Sequence, residues 1–356
     1  MKITTIQSRA EQFELVHPYT IAFRRVDAVE NFIVAVHTDT DLVGLGAAAP
    51  EPYVTGETAE ACGDALSPEA LDWLIGCDLR LCETHCREAE RRMPDAPAAR
   101  AAIDMALHDL LAQHLNIPLV EMLGRVHDRL PTSVTIGINS VEETVADAAE
   151  HVGQGFRILK IKLGHSLEED LERLHKLRER FGTRMAIRVD PNQGYSVQDL
   201  QRFVEESRTL DIEFIEQPLK VTDDETLRSF PASVRQRIAM DESLLRETDA
   251  IRLIAPPAAC GIFNIKLMKC GGIQPAKRIA TIAEASGIKL MWGCMDESAI
   301  SISAALHTAL ACSATRFLDL DGSLELNRDV VTGGFVLQDG YMSTSTAPGL
   351  GVTAID

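Results

Sequence analysis

The chain has 356 residues, of which 46% are hydrophobic, and a formal net charge of −18 at pH 7. This length predicts more than one domain with a large core. The acidic excess repels phosphate backbones and anionic membranes, so we expect neither nucleic acid nor a membrane as a partner, whereas a cationic ligand or a metal suits the charge.

The first segment, MKITTIQSRAEQFEL, has no apolar stretch behind its charged start, and no run of 18 apolar residues follows anywhere. We therefore expect neither a signal peptide nor a membrane span. The eight cysteines are then best interpreted as reduced, mostly buried side chains of a cytoplasmic protein.

Residues 1 to about 55 alternate between polar and apolar types, which predicts antiparallel strands with a turn at 39–41. Gly44 and Gly46 are assigned to a hairpin strand rather than a dinucleotide loop, because no third glycine and no helix follow. From about 57 to 125 the apolar residues recur at helical spacing, and Gly124 ends the run. We predict a separate α+β domain over residues 1–125.

Within this helical region, Cys82 and Cys86 have a spacing that could form a metal clip, with His85 between them. No second cysteine or histidine pair stands nearby in the sequence. We interpret the segment as a polar helix face.

After residue 130, short apolar runs alternate with longer amphipathic segments. The runs lie at 132–138, 157–163, 185–191, 212–218, 237–243, 262–268, 288–294 and 315–322. Eight such runs with helices between them predict the α/β class and a β/α barrel over residues 126–325, followed by a C-terminal segment, 326–356.

One charged residue ends each of five consecutive runs: Lys162, Asp190, Glu216, Asp241 and Lys266. They recur with the period of a β/α unit, at intervals of 28, 26, 25 and 25 residues. The C-terminal ends of barrel strands meet on the face where barrel enzymes keep their active sites. We therefore expect these side chains to converge.

The three acids, Asp190, Glu216 and Asp241, form an all-oxygen set that suits Mg²⁺, with Mn²⁺ as a possible substitute. Zinc is disfavoured because no histidine or cysteine joins the set. Asn192 is either a supporting partner of this site or a loop-turn residue.

Lys162 and Lys266 end the second and sixth strands, which lie nearly opposite each other in a barrel. This placement predicts a two-base racemase, in which one lysine removes an α-proton and the other returns a proton to the opposite face. Lys160 lies two residues before Lys162 and projects from the same side of the strand, so its positive charge should lower the pKa of Lys162. Lys269 is expected to support the turn after the sixth strand.

Taken together, these motifs resemble the muconate-lactonising-enzyme subgroup of the enolase superfamily, over essentially the whole chain. The matching segments are KIK at 160–162, VDPN at 189–192, EQP at 216–218, DES at 241–243 and NIKLMKCGG at 264–272. The resemblance implies a (β/α)7β-type TIM barrel whose N-terminal capping domain is completed by the C-terminal tail. It also implies that Lys162 and Lys266 form the acid/base pair beside Mg²⁺.

Within the subgroup, Asp319 and Asp321 resemble the DxD signature of dipeptide epimerases, and a pair of acids suits the free ammonium of a dipeptide. The segment with Asp296 and Ser298 resembles the stretch that holds the substrate backbone. The resemblance implies inversion of the α-carbon of the C-terminal residue of a dipeptide. Asp319 and Asp321 could instead merely end a solvated strand. The alternative functions are an N-acylamino-acid racemase, an o-succinylbenzoate synthase and, more distantly, a non-catalytic ligand-binding barrel.

The substrate side chains are harder to predict. Arg24 or Arg25 stands where Ala-Glu epimerases place an arginine, whereas Glu51 and Asp296 add acids to the site and favour cationic dipeptides. Thr135 either hydrogen-bonds the substrate or is an ordinary strand residue. The family resemblance also implies a homo-oligomer.

Overall fold

A computed structural model describes residues 1–21 and 24–355, with side chains described outside 18–25. The chain begins with an antiparallel sheet in the order β1 (Ile3–Ile21), β2 (Arg24–Thr38) and β3 (Val43–Ala48). The predicted runs before residue 21 form one continuous strand, because pairing with β2 continues past a register shift between Glu14 and Tyr19.

Five helices complete this N-terminal lobe: α1 (Ala59–Ala65), α2 (Pro68–Leu71), α3 (Cys82–Arg92), α4 (Pro97–His114) and α5 (Leu119–Leu123). Helix α4 packs against β3 at Gly44 and Gly46, where an added Cβ would lie 2.2 Å from Ala106 O and 1.9 Å from Ala102 O. Close packing therefore explains both glycines. Gly124 ends α5 with a φ of 93°, as the sequence predicts.

A short strand, β4 (Leu130–Pro131), leads into an eight-stranded parallel sheet. Its strands are β5 (Val134–Ile136), β6 (Ile158–Lys162), β7 (Ala186–Asp190), β8 (Ile212–Glu216), β9 (Ile238–Met240), β10 (Ile262–Ile265), β11 (Lys289–Gly293) and β12 (Thr315–Asp319). A bridge between Thr132 and Leu318 joins the two ends, so the sheet closes on itself. All eight predicted runs contain a barrel strand.

Helices follow each of the first seven barrel strands. They are α6 (Val141–Gly153), α7 (Leu167–Phe181), α8 (Val197–Glu206), α9 (Asp224–Leu227), α10 (Ala232–Arg235), α11 (Glu247–Ile254), α12 (Leu267–Cys270), α13 (Ile273–Ala285) and α14 (Ala299–Leu310). Only a short 3₁₀ turn, Gly322–Glu325, follows the eighth, which confirms the predicted (β/α)7β architecture. Over the described ranges, every helix is too short or too polar to cross a bilayer.

The C-terminal segment folds into small antiparallel pairs. Strand β13 (Val331–Gly333) pairs with β16 (Val352–Ala354), and β14 (Phe335–Gln338) pairs with β15 (Tyr341–Thr344), which continues to β4. The segment also contacts the N-terminal lobe, since Asn327 N donates to Glu14 O and Leu119 N donates to Gly349 O. The boundaries near residues 125 and 325 remain predictions.

The barrel interior below the strand ends holds an apolar cluster packed around a buried arginine. Phe214, Ala239, Ile262, Met291 and Phe317 form the cluster. The Arg188 guanidinium lies over the Phe214 and Phe317 rings, at 5.3 and 5.1 Å from their centroids, and donates to Leu318 O at 2.7 Å. The polar residues at the C-terminal ends of the strands lie on the opposite side, where a cavity opens.

Candidate active site

A cavity of about 850 Å³ opens at the C-terminal ends of the barrel strands. Its volume lies in the range of small-molecule sites. Residues of the N-terminal lobe, including Asn31 and Glu51, line it together with barrel residues. Lys162, Lys266 and Asp241 line the cavity, while Asp190 and Glu216 are fully buried.

The two predicted acid/base lysines contact different acids. Lys162 Nζ donates to Asp190 Oδ2 at 2.7 Å, and Lys266 Nζ donates to Asp241 Oδ2 at 2.8 Å. Their strands, β6 and β10, lie four positions apart in the eight-stranded order. In a closed barrel that is halfway round, so the two amines face the cavity from opposite sides.

Lys160 lies at the centre of the acidic cluster. Its Nζ is 2.8 Å from Asp319 Oδ2, 2.9 Å from Glu216 Oε2 and 3.3 Å from Asp190 Oδ2. Burial alone would lower the pKa of Lys160, but these three carboxylates raise it well above its usual value. Lys160 is therefore a fixed positive charge. It also acts on Lys266, whose pKa it lowers, although Asp241 outweighs that effect.

The acids fit a hard divalent cation. Glu216 Oε1 accepts a hydrogen bond from Asn264 Nδ2 at 2.7 Å, whereas no donor in the described part of the chain has hydrogen-bond geometry to Glu216 Oε2. Lys160 Nζ lies within ion-pair distance of Glu216 Oε2, but the two groups do not have the angles of a hydrogen bond, so the lone pairs of Oε2 remain available to a cation. Burial and repulsion by Asp190 raise the pKa of Glu216 to about 7. A cation at these oxygens would pair the buried Glu216 Oε2 and would offset the repulsion between Glu216 and Asp190. An all-oxygen donor set suits Mg²⁺.

Asn192 contacts the site from a turn. Its Oδ1 accepts from Lys162 Nζ at 2.9 Å, and its φ of 44° is typical of a turn. Its amide also lies 3.3 Å from Glu242 Oε1. Lys269 is fully enclosed and donates to Asp241 O at 2.7 Å and Asn264 O at 3.0 Å, which agrees with a supporting role.

Sequence reasoning missed Glu242, which lines the cavity beside Asp241. Adjacent residues of a strand point to opposite faces, which would turn Glu242 away from the site. Strand β9 ends at Met240, however, so the alternation no longer holds for residues 241 and 242. Burial and the charge of Asp241 raise the pKa of Glu242 to about 7. The adjacent acids of the DES motif were the available signal.

The two acids of the DxD motif differ in environment. Asp319 is already engaged, because Ser133 Oγ donates to Oδ1 at 2.6 Å and Lys160 to Oδ2 at 2.8 Å. Asp321 Oδ2 accepts from the Thr135 backbone N at 2.7 Å, and Oδ1 has a weak contact with Cys294 Sγ at 4.0 Å. Burial and Asp319 raise the pKa of Asp321 to about 7. Asp321 is thus the acid that would gain most from a cationic ligand.

The other predicted substrate contacts separate into three groups. Thr135, Glu51 and Asp296 line the cavity. Ser298 is not among the lining residues: its Oγ accepts from Ile300 N at the start of α14 and donates to Asp329 Oδ1 at 2.8 Å, so it caps this helix, and its contact with the substrate stays a prediction. The side chains of Arg24 and Arg25 lie outside the described residues.

The cavity carries a surplus of negative charge. Eleven acids and three lysines line it among the described side chains. Besides the central acids, the surplus comes from Glu30, Glu51 and Glu325 and from residues of α6 such as Asp147 and Glu150. Low-dielectric walls concentrate such a field, so the cavity attracts cations.

A parallel barrel whose open end pairs opposed amines with buried acids defines the class of barrel enzymes that move protons beside a metal ion. Residues 3–124 match the mandelate racemase / muconate lactonizing enzyme N-terminal domain, and residues 143–356 match the enolase C-terminal domain-like family. The chain belongs to this branch of the enolase superfamily, as its motifs predict.

Curated relatives extend over the full chain. The L-Lys-D/L-Arg epimerase of Methylococcus capsulatus is 59% identical, with 100% of both chains covered, and that of Desulforapulum autotrophicum is 51% identical, also with 100% of both covered. A crystal structure of the Methylococcus capsulatus dipeptide epimerase with Mg and the dipeptide L-Arg-D-Lys superposes with a TM-score of 0.98, at 59% identity, covering 99% of this chain and 100% of that one.

Proposed function

We propose that this protein is a Mg²⁺-dependent dipeptide epimerase that inverts the α-carbon of the C-terminal residue of cationic dipeptides. The observation that carries the proposal is the placement of Lys162 and Lys266 on strands half a barrel apart, at one cavity with the metal-type acids between them. Inversion needs a proton donor and a proton acceptor on opposite faces of one carbon, and two opposed amines supply both.

Asp190, Glu216 and Asp241 would hold the metal. When bound, Mg²⁺ would draw charge from the substrate carboxylate, so that the adjacent C–H becomes more acidic, and would compete with the lysines for their acids. A neutral lysine on one side then takes the α-proton, and the protonated lysine on the other side delivers one. Asn192 orients Lys162 through its 2.9 Å contact. The apolar cluster packed around Arg188 fills the barrel interior below them.

Asp321 would bind the ammonium of the first residue of the dipeptide. The neighbouring Asp319 is already paired with Lys160, which leaves Asp321 to meet the ammonium. Glu51 and Asp296, which both line the cavity, would meet cationic side chains. The eleven acids of the cavity favour such a substrate, and so do the names of the two relatives that are most similar among those described above.

The test is proton NMR in deuterium oxide with Mg²⁺ and a panel of L,L-dipeptides. We expect loss of the α-proton signal of the C-terminal residue only, and fastest with Lys and Arg at both positions. Loss at the first residue would contradict the assigned orientation. Equal rates for Ala-Glu and Lys-Arg would contradict the cationic preference.

A second candidate is racemisation of N-succinyl basic amino acids, because an N-succinyl-L-Arg/Lys racemase of Bacillus cereus is 31% identical over 99% of this chain and 95% of that protein. Asp321 argues against it, since an acylated amine offers no cation to this acid. Including N-succinyl-L-Arg in the same panel separates the two. A cytoplasmic location and a homo-oligomeric state are further proposals, the first supported by eight free cysteines.

A further inference from the structure

The N-terminal lobe brings together donor side chains that the proposed reaction does not use. Cys82 and Cys86 lie one turn apart on α3, and one ring nitrogen of His108 on α4 and the two Sγ atoms lie within 4.8 Å of one another. Asp104, one turn before His108, has Oδ1 3.2 Å from His108 Nδ1. Cys82, Cys86 and Asp104 are at most 5% exposed.

We propose that Cys82, Cys86 and His108 bind a structural zinc ion that joins α3 to α4, and that Asp104, which contacts His108 but lies outside the group of donor atoms within 4.8 Å of one another, shifts toward the ion to become the fourth ligand. Two thiolates and an imidazole are the donors that zinc prefers, and structural sites are closed by a fourth ligand. Two ligands one helical turn apart present both donor atoms to one ion. The interpretation of this segment as a polar helix face omitted His108, which only the packing of α4 on α3 brings to it.

A disulfide is a poorer explanation of the cysteine pair. Residues one turn apart on a helix have Cβ atoms about 5–6 Å apart, whereas a disulfide needs about 3.5–4.5 Å. His85 lies between the cysteines in sequence but points elsewhere, since its Nε2 contacts Asp78 O at 2.9 Å. The cluster therefore consists of thiols and an imidazole that share no covalent bond.

The donors of the cluster already face one another. Cys82 Sγ lies 4.0 Å from His108 Nδ1, which places a thiol of α3 against the imidazole of α4. His108 Nδ1 donates its proton to Asp104 O at 2.8 Å. If this nitrogen binds zinc, the ion takes the place of the proton, and the hydrogen bond to Asp104 O is lost. Zinc binding then releases protons and weakens at low pH.

The zinc site would connect the N-terminal lobe to barrel helix α13, which follows the segment that carries Lys266. The Asp104 carboxylate accepts hydrogen bonds from Ile273 N at 2.6 Å and Gln274 N at 3.2 Å, the first residues of α13. Helix α13 follows directly on the segment that carries Lys266 and Lys269. An ion at Asp104 would therefore hold α3, α4 and α13 together, and its removal would lower the thermal unfolding temperature.

The first test measures zinc by elemental analysis after the protein is incubated with zinc and dialysed against a weak chelator. We expect about one retained zinc per chain, as for closed sites, and loss of this zinc in Cys82→Ser and Cys86→Ser. Cys312→Ser and His85→Gln, which change donors outside the cluster, should retain it. Equal retention in all four variants would overturn the proposal.

The second test needs no variant to fold. Titration of the metal-free wild-type protein with Co²⁺ should produce a thiolate-to-cobalt charge-transfer band and the strong visible bands of a tetrahedral ion. Cobalt bound at Asp190, Glu216 and Asp241 cannot produce the charge-transfer band, because that site contains only oxygen donors. Absence of the band at excess cobalt, with the thiols shown to be reduced by a thiol reagent, would also overturn the proposal.

Discussion

Replacement of Asp321 by asparagine isolates the charge that recognises the substrate ammonium. The amide oxygen can still accept the hydrogen bond from Thr135 N, so the strand end keeps its geometry. A hydrogen bond between charged groups contributes about 1.5–3 kcal/mol, and about 1.4 kcal/mol corresponds to a factor of ten. We therefore expect kcat/KM for L-Lys-L-Arg to fall about 10- to 150-fold.

The assay is the initial rate of α-proton loss in deuterium oxide, measured in parallel with L-Lys-L-Arg and N-succinyl-L-Arg. The succinyl compound has no α-ammonium, so its much lower activity, where measurable, should not change. Asp223→Asn, which alters an exposed acid, serves as the control. An equal loss with both substrates would mean that Asp321 acts through the lysines or through the acids assigned to the metal, Asp190, Glu216 and Asp241. That result would refute ammonium recognition.

The pH dependence provides an independent check on the same residue. Burial and Asp319 raise the pKa of Asp321 to about 7, and only the ionised carboxylate attracts the ammonium. Affinity for dipeptides should therefore decline as the pH falls below about 7, in excess of any decline seen with N-succinyl-L-Arg. The Asp321→Asn variant should lose this excess and retain whatever decline the two substrates share through other acids.

Three further changes test the remaining parts of the site. Lys162→Ala and Lys266→Ala should each abolish epimerisation of L-Lys-L-Arg, measured by chiral chromatography, whereas the exposed Lys176→Ala should leave it intact. Glu51→Gln combined with Asp296→Asn should lower the Lys-Arg to Ala-Glu ratio of kcat/KM by about two- to fivefold per acid, as expected of partly exposed ion pairs of up to about 1 kcal/mol; an unchanged ratio would exclude both from specificity. A chelator should abolish turnover, and Mg²⁺ should restore it more fully than Mn²⁺; turnover that survives dialysis against the chelator would contradict the metal assignment.

The barrel could be predicted because its signals are local. Each strand is an apolar run of about the right length, and a charged residue ends five of them, so periodicity alone locates both the strands and the face where the site lies. The strands observed are shorter than the runs, since β9 covers only Ile238–Met240 of the run 237–243. That shortening decides the direction of Glu242, and no pattern in the sequence encodes where the strand hydrogen bonds stop.

The contacts inside the site could not be predicted, because they depend on which side chains compete for one charge. Asp319 and Asp321 look equivalent in sequence, but Lys160 and Ser133 engage only the first. Ser298 belongs to a segment that resembles a substrate-holding stretch, and the sequence did not indicate that its side chain also caps α14, which begins at the next residue. The same limitation applied to Cys82 and Cys86, whose third partner comes from another helix.

The charges of the cavity form two layers with different consequences for binding. In the inner layer, the amines of Lys160, Lys162 and Lys266 lie within 2.9 Å of carboxylate oxygens. Salt screens the attraction between these amines and carboxylates only weakly, because the carboxylates are buried. The outer layer consists of acids at the open mouth, where water and salt reach them. Salt should therefore raise KM for cationic dipeptides steeply while changing kcat little, because screening acts on the layer that attracts the substrate and spares the layer that moves the proton. A parallel fall of kcat with salt would mean that screening reaches the reacting amines as well, and would contradict this separation of the two layers.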